Sequence, residues 1–255
     1  MMTAILEVHD LVKAFGGLVV LNHCSFQVRR GCITGLIGPN GAGKTTLFNV
    51  LTGFYRPDSG QVLFNGRDIT GLAPHRIFQH RICRTFQIPR EFRDMTVLEN
   101  LMLIPPGQLG ERLWFPWFRP ALVRQQEGKI RDKALEVLAA VRLLGLRDEY
   151  ARNLSGGQKK LLELARTMMA DPELLLLDEP GAGVNPTLMD ELAAYILHLC
   201  RDRGVTILLI EHDMDLVMRL CDPVIVLTEG RPLTQGNFAA VANDPRVLEA
   251  YLGGG

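Results

Sequence analysis

Short apolar runs alternate with helical patterns along most of the chain. Residues 31–37 are predicted to form a strand, and residues 173–177 and 205–210 are nearly continuous apolar runs, typical of strands buried on both faces of a parallel sheet. Residues 44–51 follow the first of these strands and are predicted to form a helix. Because ligands bind beyond the carboxyl ends of strands in open α/β sheets, the polar residues after each strand are candidates for a site. The pattern therefore predicts an α/β fold.

Two regions depart from this alternation. The first thirty residues predict two strands around a turn at Gly16 and Gly17, which we expect to add an antiparallel β layer. Residues 96–154 are mostly helical, and residues 121–146 have apolar positions at helical spacing with charges on the other face. The predicted division is an α/β core at residues 1–86 and 159–255 and an inserted helical subdomain at residues 87–158.

Composition narrows the class of protein. Hydrophobic residues make up 47% of the 255 residues and charged residues 22%, which is ordinary for a globular protein. Lys+Arg and Asp+Glu both total 28, so no basic excess points to nucleic acid as a partner. The five cysteines are odd in number and show no CxxC spacing, which favours a reducing compartment. The apolar runs are far shorter than the roughly 18–20 residues that span a bilayer, and the N-terminus lacks a signal-peptide pattern, so we expect any membrane crossing to be made by another chain.

A glycine-rich loop follows the first predicted core strand and matches GxxxxGK(S/T) in full. Its glycines let backbone N–H groups point inward at an anion, and the next helix presents its positive N-terminus to the same place. The lysine places a charge on the β- and γ-phosphates of a nucleotide, and the first threonine offers a hydroxyl to Mg²⁺. The loop consists of Gly38, Pro39, Asn40, Gly41, Ala42, Gly43, Lys44, Thr45 and Thr46.

A second motif ends the apolar run at residues 174–177 with two acids, Asp178 and Glu179. Asp178 is predicted to hold Mg²⁺ directly or through water, as the second element of a P-loop ATPase. Glu179 is predicted to polarise the attacking water. Together with the loop, these acids predict a P-loop NTPase with a RecA-like core, but a kinase, a helicase or a GTPase could carry the same features.

The signature sequence LSGGQ at residues 154–158 narrows this class. With it, the chain resembles the ATP-binding cassette (ABC) family over nearly its whole length. Phe15, Gln87 and His212 stand in the expected order around the signature and resemble the adenine-stacking residue, the Q-loop glutamine and the switch histidine of that family. The signature residues that match are Leu154, Ser155, Gly156, Gly157 and Gln158.

The resemblance implies a role for each of these positions. The signature of one subunit closes over ATP held by another, so the family implies a head-to-tail dimer with a second cassette, identical or different. Gln87 is expected to sense Mg²⁺ or water beside a transmembrane permease subunit, and His212 to touch the γ-phosphate. One position departs from the family pattern, because Asn185 stands where many members have Asp.

Several segments resemble the branched-chain amino acid importer group of that family, among them GAGVNP at residues 181–186 and RTFQIPREFRDMTVLENL at residues 84–101. This resemblance implies an ATPase on the cytoplasmic face of the membrane that serves permease subunits and, indirectly, a substrate-binding protein. Related subunits serve urea, short amides or lipopolysaccharide export, so the cargo stays open. Two competing hypotheses are a soluble ABC ATPase without a role in transport and a regulatory module that binds ATP without hydrolysing it.

An aromatic cluster at residues 114–118, WFPWF, falls in a segment predicted to be a loop. It could contact a membrane subunit or the lipid interface, where Trp is favoured. The alternative, which we favour from the sequence, is a loop that buries its own aromatic side chains on the helical subdomain.

Overall fold

The structure is a computed structural model that describes residues 3–85, 91–111 and 114–252. The strands are β1 (Ala4–Phe15), β2 (Leu18–Arg29), β3 (Ile33–Ile37), β4 (Ser59–Phe64), β5 (Arg67–Asp68), β6 (Ile82–Arg84), β7 (Leu174–Asp178), β8 (Thr206–Ile210), β9 (Val224–Thr228) and β10 (Arg231–Gly236). The helices are α1 (Lys44–Leu51), α2 (Pro74–Gln79), α3 (Val97–Met102), α4 (Phe115–Phe118), α5 (Pro120–Ala140), α6 (Gly156–Met168), α7 (Pro186–Arg201), α8 (Met214–Leu220), α9 (Phe238–Ala242) and α10 (Pro245–Leu252). Short 3₁₀ segments lie at Leu109–Glu111, Leu144–Leu146 and Ala151–Asn153.

The described strands form two sheets. The first is antiparallel with the order β2-β1-β4-β5, and the second has the order β10-β9-β3-β8-β7-β6. In the second sheet β9, β3, β8, β7 and β6 pair in parallel, whereas β10 pairs antiparallel with β9. Strands β3, β7 and β8 are buried at every position, which explains their continuous apolar sequence. The predicted α/β fold with an N-terminal antiparallel layer is confirmed, and that layer has four strands rather than two.

Both sheets contribute to one hydrophobic core around α1. The buried side chains of β1 and β2, among them Leu6 and Leu21, belong to the same cluster as Leu47 and Phe48 of α1 and Leu208 of β8. Each of these five residues is fully buried. Because α1 begins immediately after the glycine-rich loop, its burial fixes the position of that loop.

The chain divides into two compact units. The first comprises Met1–Arg84, Glu173–Gly181 and Ile196–Gly255, and the second comprises Thr85–Pro172 and Ala182–Tyr195. The first unit contains both sheets. The predicted division places residues from 159 onward in the core, whereas α6 groups with the second unit because its apolar face packs on α3 and α5. Residues 182–195 also group there, since Leu188 packs against Gly157.

The second unit is a helical assembly built on α3, α5 and α6. Thr96 begins α3 with a capping box, in which its side chain accepts from the N–H of Glu99 and the carboxylate of Glu99 accepts from the N–H of Thr96. Helix α5 buries a stripe at helical spacing that includes Ile130, Ala134 and Val137. The helical subdomain expected from this periodicity is therefore present.

Three aromatic side chains of the cluster are exposed. Trp114, Trp117 and Phe118 are 72%, 84% and 78% exposed. The sequence-based preference for a self-burying loop is wrong for these three residues. The physical reason is that α4 has only four residues, and its one described ring contact joins Trp114 to Phe118 at 6.5 Å between centroids.

Candidate functional site

The glycine-rich loop joins β3 to α1. At two of its positions the backbone conformation and the close neighbours leave no room for a Cβ, so only glycine fits. Gly38 has φ 151°, and a Cβ there would lie 2.0 Å from the carbonyl oxygen of Leu227. Gly43 has φ 97°, and a Cβ there would lie 2.8 Å from the carbonyl oxygen of Val20. The loop is therefore pressed against the backbone of two strands, and its shape is fixed by the protein before any ligand binds.

Lys44 is the first residue of α1, and it is buried, with only 7% of its surface exposed. Its Nζ donates to the carbonyl oxygens of Gly38 and Pro39 at 2.7 and 2.9 Å. Burial lowers the pKa of Lys44, while the negative charges of Glu179 and Asp178 act in the opposite direction. The ammonium group is thus folded back on its own loop, beside two carboxylates.

The two acids stand at the carboxyl end of β7, next to the end of β8. Asp178 is buried and its Oδ2 accepts from Nη2 of Arg84 at 2.7 Å. Arg84 ends β6, the neighbouring strand, and its other terminal guanidinium nitrogen donates to Asn49 of α1 at 2.6 Å. Arg84 is not among the site residues predicted from the sequence. No local sequence pattern marks it, because its role depends on pairing with Asp178 of the neighbouring strand.

Glu179 and His212 meet at this edge of the sheet. Oε1 of Glu179 lies 3.0 Å from Nε2 of His212. The backbone of Glu179 has φ 49°, in the left-handed region, and its N–H donates to the carbonyl of Ile210 at 2.9 Å. A left-handed conformation is costly for a residue with a Cβ, so this hydrogen bond helps to aim the carboxylate beyond the strand.

Glu211, the residue before His212, is a buried acid. Its carboxylate accepts from the N–H of Gly181 at 2.7 Å and from the N–H of His212 at 3.1 Å. Burial raises the pKa of Glu211, and the backbone N–H groups act in the opposite direction. This carboxylate connects the segment after Glu179 to the segment that carries His212. Sequence reasoning missed it because its role depends on its burial.

Phe15 ends β1 and is 40% exposed. Its ring contacts Tyr55 edge to face, with centroids 5.1 Å apart, and Nζ of Lys13 lies 5.3 Å from its centroid. A half-exposed ring held by two neighbours offers a free surface on which a base can stack. Thr45 is exposed on the first turn of α1, and Thr46 is half-buried beside it.

The signature residues lie in the second unit, at the start of α6. Ser155 caps this helix: its Oγ accepts from the N–H of Gln158, and Oε1 of Gln158 accepts from the N–H of Ser155. A Cβ at Gly157 would lie 2.8 Å from Cδ2 of Leu188. The helix N-terminus is thus well defined, and such a terminus is a ready anion site.

Asn185 has a clear local role in the same unit. Its Oδ1 accepts from the N–H of Leu188 at 2.9 Å and so caps the start of α7. Asn and Asp cap helices about equally well, which is why the substitution leaves the helix start intact.

The structure thus brings together Lys44, Asp178, Glu179 and His212 in the first unit, and Ser155–Gln158 in the second. Gln87 lies outside the described residues. Within the described ranges, no helix has both the length and the hydropathy needed to cross a membrane.

The loop, the acids and the sheet order define a P-loop nucleotide-binding protein, and comparison with known proteins identifies its family. Residues 21–182 match the family model described as "ABC transporter", and residues 231–255 match the model described as "Branched-chain amino acid ATP-binding cassette transporter". The chain belongs to the ABC transporter family, as a nucleotide-binding ATPase subunit, and the resemblance found in the sequence is confirmed.

Among similar relatives is the high-affinity branched-chain amino acid transport ATP-binding protein LivG of Salmonella typhimurium, which is 43% identical over 98% of both chains. Another is the high-affinity branched-chain amino acid transport ATP-binding protein BraF of Pseudomonas aeruginosa, 42% identical over 98% of both chains. The solved structure of the ADP conformation of an ATP-binding cassette of an ABC transporter is also similar: it is 37% identical, the match covers 98% of this chain and 99% of that one, and the TM-score is 0.83.

Proposed function

We propose that this protein is the ATP-hydrolysing subunit of an importer of branched-chain or other hydrophobic amino acids. The observation that carries the proposal is the Glu179–His212 pair, 3.0 Å apart, at the strand edge beside the buried Lys44. The similarity to LivG and BraF supports the cargo class.

The proposed reaction converts ATP and water to ADP and phosphate. Lys44 turns from the carbonyl oxygens of Gly38 and Pro39 to the β- and γ-phosphates, which compensate its buried charge. Glu179 accepts a hydrogen bond from the attacking water and aims it at the γ-phosphate, and His212 holds the Glu179 carboxylate and contacts that phosphate. Phe15 stacks on the adenine.

The donor set also suits Mg²⁺. Asp178 and Thr45 offer a carboxylate and a hydroxyl, the hard oxygen ligands that this ion prefers, and Mg²⁺ needs only one or two protein ligands when phosphates are present. Burial lowers the pKa of Lys44, and the charges of Glu179 and Asp178 act against it, so both carboxylates lie near the loop. Bound Mg²⁺ would neutralise charge on the phosphates, and Gln87 is proposed to sense the ion or the water.

The signature completes the site of another cassette. Ser155, Gly156, Gly157 and Gln158 present a capped helix N-terminus, which is proposed to bind the γ-phosphate of ATP held by a second, identical or different, cassette. ATP then joins two cassettes, and hydrolysis weakens that junction. Permease subunits respond to this opening and closing at the cytoplasmic face of the membrane, and a substrate-binding protein supplies cargo to them.

Two substitutions separate binding from chemistry. Lys44→Ala removes the phosphate-binding charge, so we expect ATP affinity to be lost. Glu179→Gln keeps the shape of the carboxylate but not its basicity, so we expect ATP to bind with near wild-type affinity while turnover falls by at least about 100-fold. ATP titration and phosphate release measure the two effects, and a Glu179→Gln variant with wild-type turnover would contradict the role of Glu179.

A further inference from the structure

Glu211 is a buried carboxylate that the proposed reaction does not use. It follows Ile210, the last residue of β8, and only 3% of its surface is exposed. Its Oε1 accepts from the N–H of Gly181 at 2.7 Å, and its Oε2 accepts from the N–H of His212 at 3.1 Å. Burying a carboxylate is costly unless its oxygens are hydrogen-bonded, and here each oxygen has a backbone donor. The side chain therefore ties together two segments of the chain.

The first of these segments carries Glu179. Only Pro180 stands between Glu179 and Gly181, and its ring fixes one of the backbone angles that separate them. The N–H of Glu179 donates to the carbonyl oxygen of Ile210 at 2.9 Å, so the segment is held at residues 179 and 181 by two consecutive residues, Ile210 and Glu211. The left-handed backbone of Glu179, with φ 49°, is unfavourable for a residue with a Cβ and depends on such support.

The second segment carries His212, whose ring returns to Glu179. Nε2 of His212 lies 3.0 Å from Oε1 of Glu179, but the two side chains are 45% and 21% exposed. A contact that water can reach contributes little by itself to holding two groups in one orientation. The backbones of both segments are joined by the buried carboxylate of Glu211, which supplies a restraint that the exposed contact lacks.

We propose that Glu211 is a positioning residue for ATP hydrolysis, whose carboxylate holds the backbones of Gly181 and His212 so that Glu179 and His212 meet in the orientation that the attacking water requires. Glu211 acts through these two segments rather than on ATP. The hydrogen bonds at Gly181 and His212 lie outside the glycine-rich loop, so their loss should lower kcat while Lys44 still binds the phosphates. This inference rests on the proposed ATPase function.

The test compares Glu211→Gln and Glu211→Ala in the full chain. Gln keeps the shape of the side chain and one acceptor oxygen, whereas Ala removes both acceptors. A hydrogen bond to a charged group corresponds to a roughly 10- to 100-fold change in an equilibrium constant. We therefore expect kcat to fall by about 10-fold in Glu211→Gln and by about 100-fold in Glu211→Ala, with the Kd for ATP unchanged. In the ATP-free variants, the amide resonances of Gly181 and His212 should shift.

Thr206→Val is the matched control. Thr206 is the first residue of β8, is fully buried, and its Oγ1 accepts from the N–H of Gly31 at 3.0 Å. It is thus another buried acceptor for a backbone N–H, at the opposite end of the strand that leads to Glu211. Val keeps the shape of this side chain and removes the acceptor, so Thr206→Val should lower the Tm and leave kcat unchanged.

Two results would overturn the inference. The first is a wild-type kcat in Glu211→Ala, or in Glu211→Gln if the Ala variant does not fold. The second is a fall in kcat in Thr206→Val as large as that in Glu211→Gln, which would assign the effect to general destabilisation. If the wild-type protein itself failed to hydrolyse ATP, the proposed function would fail instead. The amide resonances of the ATP-free variants would still show whether Glu211 holds the two segments, so the two failures are distinguishable.

Discussion

The buried ion pair between Arg84 and Asp178 gives the sharpest prediction about stability. Both side chains are only 7% exposed, and the two charged groups lie 2.7 Å apart. Arg84→Met preserves the apolar stem and removes the charge, so Asp178 is left buried without this counter-ion. Removing one member of a buried pair costs about 3–5 kcal/mol, because the remaining charge has lost its solvent and its counter-ion. For a chain of this size that corresponds to a fall in Tm of roughly 6–20 °C.

Thermal unfolding followed by circular dichroism measures this change, and the protein offers a matched control. Arg81 pairs with Glu173 at 3.2 Å, but its side chain is 51% exposed and that of Glu173 is 30% exposed. Arg81→Met is therefore expected to cost only about 0–1 kcal/mol. The double variant Arg84→Met/Asp178→Asn should recover part of the loss, since the uncompensated charge is gone. If Arg84→Met lowered the Tm no more than Arg81→Met, the pair would not be a buried one in solution.

Three further predictions concern the buried acid, the glycine-rich loop and the aromatic cluster. The raised pKa of Glu211 means that the folded protein binds this proton more tightly than the unfolded chain does. The resulting contribution to stability is present below about pH 4.5 and is lost as the pH rises through the raised pKa. Urea unfolding across this pH range should show that Glu211→Gln lacks this contribution, and an equal pH dependence in both proteins would refute it. Gly38→Ala should destabilise the fold far more than Gly41→Ala in the same assay, because a Cβ at Gly38 meets the carbonyl oxygen of Leu227 at 2.0 Å and one at Gly41 meets nothing within 4 Å. Replacing Trp114 and Trp117 by Ser should leave the Tm unchanged, since both side chains are exposed. If the aromatic cluster contacts permease subunits, the same replacement should weaken co-purification with them, and undiminished assembly would exclude that contact.

Much of the fold could be predicted from local sequence. The helix expected at residues 44–51 is α1, Lys44–Leu51, because the glycine-rich loop fixes where it begins. Strands β7 and β8 were recognisable because burial on both faces requires continuous apolar runs. Strand β4, Ser59–Phe64, was missed because it is held by pairing with β1, some fifty residues earlier, and its first three residues are exposed.

The site was predictable where a motif specifies chemistry and not where burial does. Lys44 and Glu179 were predicted from the loop motif and a strand end, and His212 from the family resemblance. Arg84 and Glu211 were missed, because nothing in the sequence distinguishes a charge that is buried and paired from one that faces water. Their partners, Asp178 and Gly181, become apparent only when β6, β7 and β8 lie side by side.

In the proposed mechanism, ATP joins the glycine-rich loop of one cassette to the signature helix of another. The most direct test of this junction is the molar mass of Glu179→Gln, measured by light scattering with and without ATP. The variant is measured alone and mixed with each candidate partner cassette. Lys44→Ala, which is expected not to bind ATP, is the control. The mass of Glu179→Gln should double on addition of ATP, and that of Lys44→Ala should stay constant. A Glu179→Gln protein that has bound ATP yet stays monomeric with every partner would contradict the mechanism.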